Sequence, residues 1–317
     1  MARLGRMERM APEALRSTPA RLARSAYLVE HVTVCLDCHS QRDWGLYSAP
    51  IIAGTEGQGG ETFDDRHGVR GVVYGTNITP AGLASWTDDE ILRAITAGVN
   101  RDGDVLFPVM PYRNYRHLTQ GDAAAIITYV RTLPPIEHPV PPRRLSFFVE
   151  FLIRSFAIDR VRLAPTLGEG DSRGPPDPIQ YGQYLTRLAN CGDCHSPRTL
   201  AGTRNPIARC PVGSSSPSRK VSCSPPISRP TVTPASGDRP RTDSWRDSSR
   251  SLTPSYARAV GPSGMNTTMP WTMYAGMSQS DLEAIYAYLR QVPPVRNRVT
   301  PFAPDRPRQD PAGSDRR

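Results

Sequence analysis

The sequence predicts an all-α protein that contains two copies of one helical module. Helix caps and helical spacing of apolar residues recur along the chain. The alternation of apolar and polar residues that indicates a strand is not convincingly present. The pentapeptide Cys-x-x-Cys-His occurs at 35–39 and 191–195, and a Met-Pro-aromatic segment follows each copy, at 110–112 and 269–271. Because the two motifs keep offsets of 156 and 159 residues, an internal duplication is the simplest explanation.

Two helices are predicted in the first module before its Met-Pro-aromatic segment. Residues 22–34 form a helix that leads into the first pentapeptide. Further along, Thr87 and Glu90 have the spacing of a capping box, in which the two side chains satisfy each other's backbone N–H groups. The apolar pattern that follows stops at Gly98, a residue type that commonly ends helices, so this helix is predicted over 87–98.

The last helix of each module carries the same start and stop signals. A polar residue followed three positions later by aspartate opens it, at Thr119 in the first module and at Ser278 in the second. Apolar residues then recur at helical spacing until a Pro-Pro pair, at 134–135 and 293–294, ends the helix.

The pentapeptide is the attachment signature of a c-type haem. Its two cysteine sulfurs form thioethers to the haem vinyl groups, and the histidine that follows becomes the proximal ligand of the iron. With 6 Cys and 6 His in 317 residues, chance supplies roughly 0.002 such pentapeptides, so two accidental copies are excluded. The sequence therefore predicts two covalent haem c sites, with these attachment and proximal residues: Cys35, Cys38 and His39; Cys191, Cys194 and His195.

The sixth iron ligand distinguishes an electron carrier from a catalyst with an open iron. Met110 and Met269 occupy matching positions, each followed by proline and an aromatic ring. A thioether opposite histidine stabilises Fe(II) and closes the iron to oxygen species, which favours electron transfer. The competing candidates do not recur and are interpreted as core or surface residues: Met265, Met273, Met277, His31, His67, His117 and His138.

These features resemble the bacterial tandem cytochrome c family, which includes di-haem electron-transfer proteins and the cytochrome subunits of membrane-bound alcohol and aldehyde dehydrogenases. The resemblance is close over 27–140, and in the second half it covers 178–202 and 265–295. Five segments carry it: Tyr27-Leu28, Gly75 to Pro80, Trp86 to Asp88, Leu106 to Tyr112, and Tyr129 to Pro135.

The resemblance implies two class I-like cytochrome c domains and a set of residues around each haem. It places Asn77, Thr79 and Trp86 in the wall of the first haem pocket. Tyr112 would pack at the haem edge, and Trp271 is its counterpart in the second module. The expected organisation is an Arg-rich segment over 1–26, domain 1 over 27–138, a Pro-rich linker over 139–177, domain 2 over 178–295 and a disordered tail over 296–317.

The linker contains an apolar run over 145–158, which predicts a helix that packs between the modules or onto a partner. A helix lying on a membrane surface is the alternative, and it is less favoured because Glu150 and Arg154 do not form a basic face. The run has 14 residues including these two charges. No transmembrane span is therefore predicted, although peripheral membrane association stays open.

The second module is interrupted by a segment of unusual composition. Residues 203–250 hold 11 Ser, 8 Pro and 8 Arg, which cannot bury an apolar core. Either this is a natural insertion, or it is a stretch read out of frame between two compensating slips, which is the hypothesis we favour. If the segment is real, the second haem pocket lacks a wall, and its haem is exposed, weakly ligated by Met269 or poorly incorporated. Sequencing the DNA of codons 200–265 distinguishes the two.

The charge distribution argues against a nucleic-acid-binding protein. The formal net charge is +9, but residues 1–26, 203–250 and 296–317 together carry +13, which leaves the haem-bearing remainder at −4. Haem attachment takes place outside the cytoplasmic membrane, so a periplasmic location is expected even though residues 1–26 lack the apolar core of an export signal. The two remaining cysteines, Cys210 and Cys223, have no assigned role.

The function expected from these features is electron transfer without chemistry on a substrate. Two haems would relay single electrons from a dehydrogenase to a downstream cytochrome or oxidase of a respiratory chain. One alternative is a di-haem cytochrome c peroxidase, which needs one iron left open for peroxide. A second is a cytosolic zinc or redox protein that uses the Cys-x-x-Cys pairs.

Overall fold

The computed structural model describes residues 18–161, 177–195, 259–260 and 266–293. Several predictions lie outside these residues: most of the Arg-rich segment, the 203–250 segment, the C-terminal tail, Met265, Cys210 and Cys223.

Helices are the main regular element of the described structure. In chain order they are α1 (Pro19–Tyr27), α2 (Cys35–His39), α3 (Asp88–Ala97), α4 (Tyr112–Tyr115), α5 (Gln120–Thr132), α6 (Phe147–Val161), α7 (Pro178–Leu188), α8 (Cys191–Cys194), α9 (Trp271–Tyr274) and α10 (Gln279–Leu289).

The predicted first helix changes form halfway along its length. It is α-helical to Tyr27 and then continues as a π-helical turn over Leu28–Val32. This wider turn ends where both the backbone N–H and the side-chain hydroxyl of Thr33 donate to the carbonyl of Leu28, at 2.7 and 2.9 Å. Val34 then takes a left-handed conformation with φ of 47°, which is uncommon for a β-branched residue. The chain is thereby redirected into α2.

The three predicted helix caps are confirmed, whereas the first helix begins at Pro19 and not at residue 22. The Thr87 hydroxyl accepts from Glu90 N at 3.2 Å, and a Glu90 carboxylate oxygen accepts from Thr87 N at 2.8 Å. Gly98, with φ of 70°, ends α3 within the predicted range. The hydroxyls of Thr119 and Ser278 each accept from the backbone N–H three residues later, at 3.1 and 3.2 Å.

The all-α prediction missed a small antiparallel sheet. Its strands, in the order β1-β2-β3, are β1 (Thr62–Phe63), β2 (Gly71–Tyr74) and β3 (Arg144–Leu145). Strands of two to four residues are too short to show an alternating pattern, so periodicity could not predict them. Gly71 lies where a Cβ atom would come within 2.3 Å of the Arg144 carbonyl oxygen, and the two strands therefore pair only with glycine there.

Each pentapeptide is preceded by a helix that crosses the last helix of its own half, α1 over α5 and α7 over α10. At the second crossing a Cβ atom on Gly182 would lie 1.9 Å from the Ala284 carbonyl oxygen, so the two backbones are in direct contact. The buried apolar residues form one cluster that includes Leu28 and Ile126 from the first half and Leu185 from the second. The described parts of the two halves therefore share a core.

Two tyrosines connect the halves reciprocally. The Tyr27 hydroxyl donates to Asp281 at 2.6 Å and accepts from the N–H of Ser278, the cap of α10. The Tyr184 hydroxyl donates to Asp122 at 2.7 Å and accepts from the N–H of the α5 cap at 3.3 Å. Each tyrosine thus accepts a hydrogen bond from the backbone N–H of the residue that caps the other half's last helix.

The apolar run of the linker is helical, as predicted, and forms α6. Arg143 pairs with Glu150 at 2.8 Å and also donates to the Val105 carbonyl, which fastens the start of α6 to the first half. Three phenylalanines near its start are largely exposed: Phe147 is 87% exposed, Phe148 67% and Phe151 57%. Among the helices described, none is both long and apolar enough to cross a bilayer.

Candidate haem site

The first attachment turn is α2, which displays both cysteines and the histidine within a little over one helical turn. The Thr33 hydroxyl lies 3.2 Å from the Cys35 sulfur. Burial raises the pKa of both the Cys35 and the Cys38 thiol. A redox-active Cys-x-x-Cys needs a lowered thiol pKa, so this pair does not suit thiol–disulfide exchange.

His39 is held in one orientation by the backbone. Its Nδ1 lies 2.7 Å from the carbonyl oxygen of Thr76. Because a carbonyl can only accept, Nδ1 carries the hydrogen and Nε2 presents its lone pair. Burial lowers the pKa of His39, which keeps the ring neutral. A neutral, oriented imidazole is the state that iron ligation requires.

A glycine-rich loop brings the Thr76 carbonyl to His39. A Cβ atom on Gly75 would lie 1.9 Å from the Cys38 carbonyl oxygen, and one on Gly59 would lie 2.6 Å from the Gly75 carbonyl oxygen. Gly59 also donates its N–H to the His39 carbonyl at 2.7 Å. The loop can approach the attachment turn this closely because neither glycine carries a side chain.

Asn77 and Thr79 fasten the next part of the loop to the segment after α5. The Asn77 side-chain nitrogen donates to the Ile136 carbonyl at 2.8 Å. The hydroxyl of the fully buried Thr79 donates to the side-chain oxygen of Asn77 at 2.7 Å. Ile136 N donates back to the Thr79 hydroxyl at 3.2 Å. These bonds set the shape of the loop, and the placement of both residues in a haem wall stays a prediction.

Two of the three aromatic candidates lie in or against the core. Tyr112 is almost completely buried, and its ring fills the space beside Gly98, where a Cβ atom would come within 2.5 Å. Trp86 packs against the core, and its carbonyl accepts from Arg131 at 2.5 Å. Trp271 is half-buried at the start of α9.

The two candidate axial methionines have the same local geometry. Each is half-buried and precedes a proline that caps a one-turn helix, α4 or α9. The carbonyl of Met110 accepts from Tyr112 N at 2.9 Å, and that of Met269 accepts from Trp271 N at 2.8 Å. Met273 and Met277 are buried in the core instead, as filling residues would be.

The histidines outside the pentapeptides have other surroundings. His31 lies 2.9 Å from the Met273 carbonyl, with its ring against Gly276. His67 pairs with Asp64 at 3.2 Å, and His117 is exposed.

The second attachment turn matches the first in shape. Asn190, at the position of Val34, is also left-handed, with φ of 55°, and leads into α8. Burial lowers the pKa of His195 as it does for His39. His195 Nδ1 is buried without a hydrogen-bond partner among the described residues. The stretch that would correspond to the Gly75–Thr76 loop, and with it the predicted loss of a pocket wall, lies outside the described part of the chain.

A hydrogen-bond network joins the two attachment turns. The buried Tyr115 hydroxyl donates to the Thr33 carbonyl at 2.7 Å and accepts from the Asn190 side chain at 3.1 Å. The Asn114 amide donates to both Asn190 and Asp193 at 2.7 Å. No role was predicted for these four side chains from the sequence.

One signal for this network was present in the repeat. Tyr115 recurs as Tyr274, whose hydroxyl donates to the Ala189 carbonyl at 2.6 Å. In each half this carbonyl belongs to the residue one position before the left-handed residue and two positions before the first pentapeptide cysteine, so the bond supports equivalent points of the two halves. The residues therefore fit a covalently attached haem: two thiols and a neutral imidazole share one turn, and a buried tyrosine braces that turn.

Comparisons with known proteins agree with this donor set. No protein-family model matches the chain. The fructose dehydrogenase cytochrome subunit of Gluconobacter japonicus is 30% identical over 246 residues, which are 70% of this chain and 45% of that protein. The diheme cytochrome c-type protein of Cereibacter sphaeroides is 28% identical over 269 residues, 82% of each chain. The cytochrome c subunit of the quinone alcohol dehydrogenase of Gluconacetobacter polyoxogenes is 29% identical over 202 residues, 61% of this chain and 40% of that protein.

The chain thus spans less than half of the dehydrogenase cytochrome subunits it matches and most of the di-haem cytochrome. All three relatives are cytochromes c, as the pentapeptides and their supports predict. The chain belongs to the bacterial cytochrome c family that includes di-haem electron-transfer proteins and dehydrogenase cytochrome subunits, and it carries covalently bound haem c.

Proposed function

We propose that this chain relays single electrons through two haems c, each held in its own cytochrome c domain, and performs no chemistry on a substrate. The first domain would extend over 27–138 and the second over 178–295, joined by the linker that contains α6. The observation that supports this most is the matched support of the two attachment turns. Each turn follows a left-handed residue. In each half, a tyrosine hydroxyl from the one-turn helix after the Met-Pro pair donates to the carbonyl just before that residue.

Specific residues would hold each haem. Cys35 and Cys38 would attach the first, with His39 and Met110 as iron ligands. The second set is Cys191, Cys194, His195 and Met269. When bound, haem c supplies an iron that cycles between Fe(III) and Fe(II). The chain's part is to present a neutral imidazole and a soft thioether and to exclude oxygen species from the metal.

The described contacts support pocket-lining roles for some of the predicted residues. Asn77 and Thr79 would hold the loop that presents Thr76 to His39. We propose that Trp86 walls the same pocket and that Tyr112 and Trp271 stand at the two haem edges.

The proposed donor is a dehydrogenase and the proposed acceptor is a cytochrome or oxidase, in the periplasm. The names of the relatives support a dehydrogenase donor, and haem attachment outside the cytoplasmic membrane supports the location. Peripheral membrane association would involve the exposed phenylalanines of α6, although Glu150 and Arg154 give that helix no basic face. The peroxidase alternative receives no support from the relatives, which are electron-transfer subunits.

The test is to express the chain behind an export leader in a host that matures c-type cytochromes and to count covalent haems. We expect two per chain. Replacing both cysteines of one pentapeptide by serine, Cys35 with Cys38 or Cys191 with Cys194, should leave one haem in each case. One haem in the native chain would contradict the second site, and peroxide turnover by the purified protein would overturn the assignment as a carrier.

A further inference from the structure

A loop of the first half, residues 42–50, reaches the segment that carries Met269. Arg42 folds this loop back on itself, because its guanidinium donates to the carbonyls of Ala49 at 2.9 Å and Ser48 at 2.8 Å. The same side chain pairs with the buried Asp37 of the first attachment turn at 3.2 Å. The loop is therefore anchored to α2 and does not move independently of it.

Ser48 is the residue of this loop that meets the second half. Its side chain is fully buried, and its backbone is left-handed with φ of 63°. A non-glycine residue in this conformation persists only when its surroundings hold it there. Its neighbour Ala49 is left-handed too, with φ of 44°, which gives the loop a tight and costly turn at this point.

The hydroxyl of Ser48 bridges the backbone on both sides of Pro270. It donates to the Met269 carbonyl at 2.7 Å and accepts from Trp271 N at 3.0 Å. A single hydroxyl can do both because it has one hydrogen and two lone pairs. The backbone of Met269 is thereby fixed immediately next to its side chain.

Asn266 supplies a second set of contacts between the same loop and the Met269 segment. Its side-chain nitrogen donates to the carbonyls of Trp44 at 3.1 Å and Leu46 at 3.2 Å. Its side-chain oxygen accepts from Ser48 N at 3.0 Å. Nearby, Val260 N donates to the carbonyl of residue 45 at 2.8 Å. All of these contacts cross from one half to the other.

We propose that Ser48 is a positioning residue for Met269, so that the axial ligand of the second haem is held in place by a loop of the first half. This inference rests on the proposed function, which makes Met269 an iron ligand. It means that the second site is incomplete without the first half and that the two haem sites are mechanically linked through Asp37, Arg42 and Ser48.

The test uses the full di-haem protein and Ser48→Ala. Alanine has the same cost as serine at positive φ but lacks the hydroxyl, so the change removes only the bridge. In the reduced protein an iron-bound methionine methyl gives a strongly upfield-shifted NMR resonance, and Met110→Leu and Met269→Leu assign the two signals. We expect the Met269 signal to broaden or disappear and the second haem's reduction potential to fall, with the Met110 signal unchanged.

Ser25→Ala is the matched control, because Ser25 is also fully buried but donates to the Leu22 carbonyl inside α1. It should leave both methionine signals unchanged. Ser48→Gly is the second variant: glycine relieves the positive φ, so the fold is retained while the hydroxyl is lost. It too should weaken the Met269 signal.

The outcomes distinguish the assignment of Met269 as an iron ligand from the positioning role of Ser48. A native protein with no signal assignable to Met269 overturns the ligand assignment and, with it, the role of Ser48. A Met269 signal and potential that survive both Ser48→Ala and Ser48→Gly overturn the role of Ser48 alone and leave the electron-relay function intact. Equal loss of both methionine signals would show general unfolding and would likewise reject a specific positioning role.

Discussion

At the scale of single residues, the histidines of the two pentapeptides, which are the candidate proximal ligands, show what the motif leaves undecided. The motif places His39 and His195 identically on their turns. The orientation of His39, however, depends on a carbonyl 37 residues away, that of Thr76. A hydrogen-bond partner of this kind is a backbone atom, so it has no sequence signature. Only the folding of the glycine-rich loop brings it close to His39.

Gly75→Ala tests this support. The new Cβ atom would lie 1.9 Å from the Cys38 carbonyl oxygen, so the loop must move and carry the Thr76 carbonyl away from His39. We expect the change to cost about 1–3 kcal/mol of stability, as overpacking does, and to alter the reduction potential of the first haem only. Denaturant unfolding and a redox titration measure the two effects.

Thr76→Ala is the matched control for this prediction. The Thr76 side chain is exposed, and alanine keeps the carbonyl, so stability and both potentials should stay close to those of the native protein. Equal effects of the two variants would show that the carbonyl has no special role.

At the scale of elements, local signals predicted what local physics determines. The caps of α3, α5 and α10 depend on residues within four positions of each other, and all three were visible in the sequence. The π-helical turn over Leu28–Val32 and the three-stranded sheet were not. The first depends on a Thr33 side chain competing for a helix carbonyl, and the second on pairing between segments far apart in the chain.

Thr87→Ala tests the contribution of one such cap. It removes the bond to Glu90 N and one half of the capping box, so the free energy of unfolding should fall by about 1 kcal/mol. Denaturant unfolding measures it. Thr186→Ala is the control, because the Thr186 hydroxyl bonds only the Gly182 carbonyl within α7, where such a bond adds little. A comparable loss in both variants would rule out a specific capping effect.

At the scale of the whole molecule, the two halves depend on each other. Tyr27 and Tyr184 each complete the start of the other half's last helix, and both reach carboxylates across the contact. Burial, together with the bonded aspartate, raises the pKa of both phenols above the ordinary value of 10.0. Both hydroxyls therefore keep their hydrogens, and both bonds, throughout the neutral range.

The stability of this contact should decline at alkaline pH. The folded-state pKa of each phenol lies above that of the unfolded chain, so above pH 10.0 the unfolded state binds fewer protons than the folded state. This contribution to stability is present in full below pH 10.0 and is lost as the pH rises further. Urea unfolding below and above that pH measures the decline, which should be shallower in the double variant Tyr27→Phe/Tyr184→Phe.

Gln183→Ala, a change next to Tyr184 that removes no phenol, serves as the control and should keep the native pH dependence. If the double variant declines as steeply as the native protein, the two tyrosines are not the source of the alkaline effect.

The sequence by itself determined the cofactor, the helix caps and the family, because each depends on residues close together in the chain or on a motif that occurs twice. Only the tertiary structure decided how the ligands are supported. Three sets of hydrogen bonds join residues that are distant in the chain: the contact of Thr76 with His39, the network from Thr33 through Tyr115 to Asn190, and the bond of Ser48 to Met269. Such contacts depend on backbone atoms and on the packing of two halves around a shared core, and neither has a pattern that can be seen in one sequence.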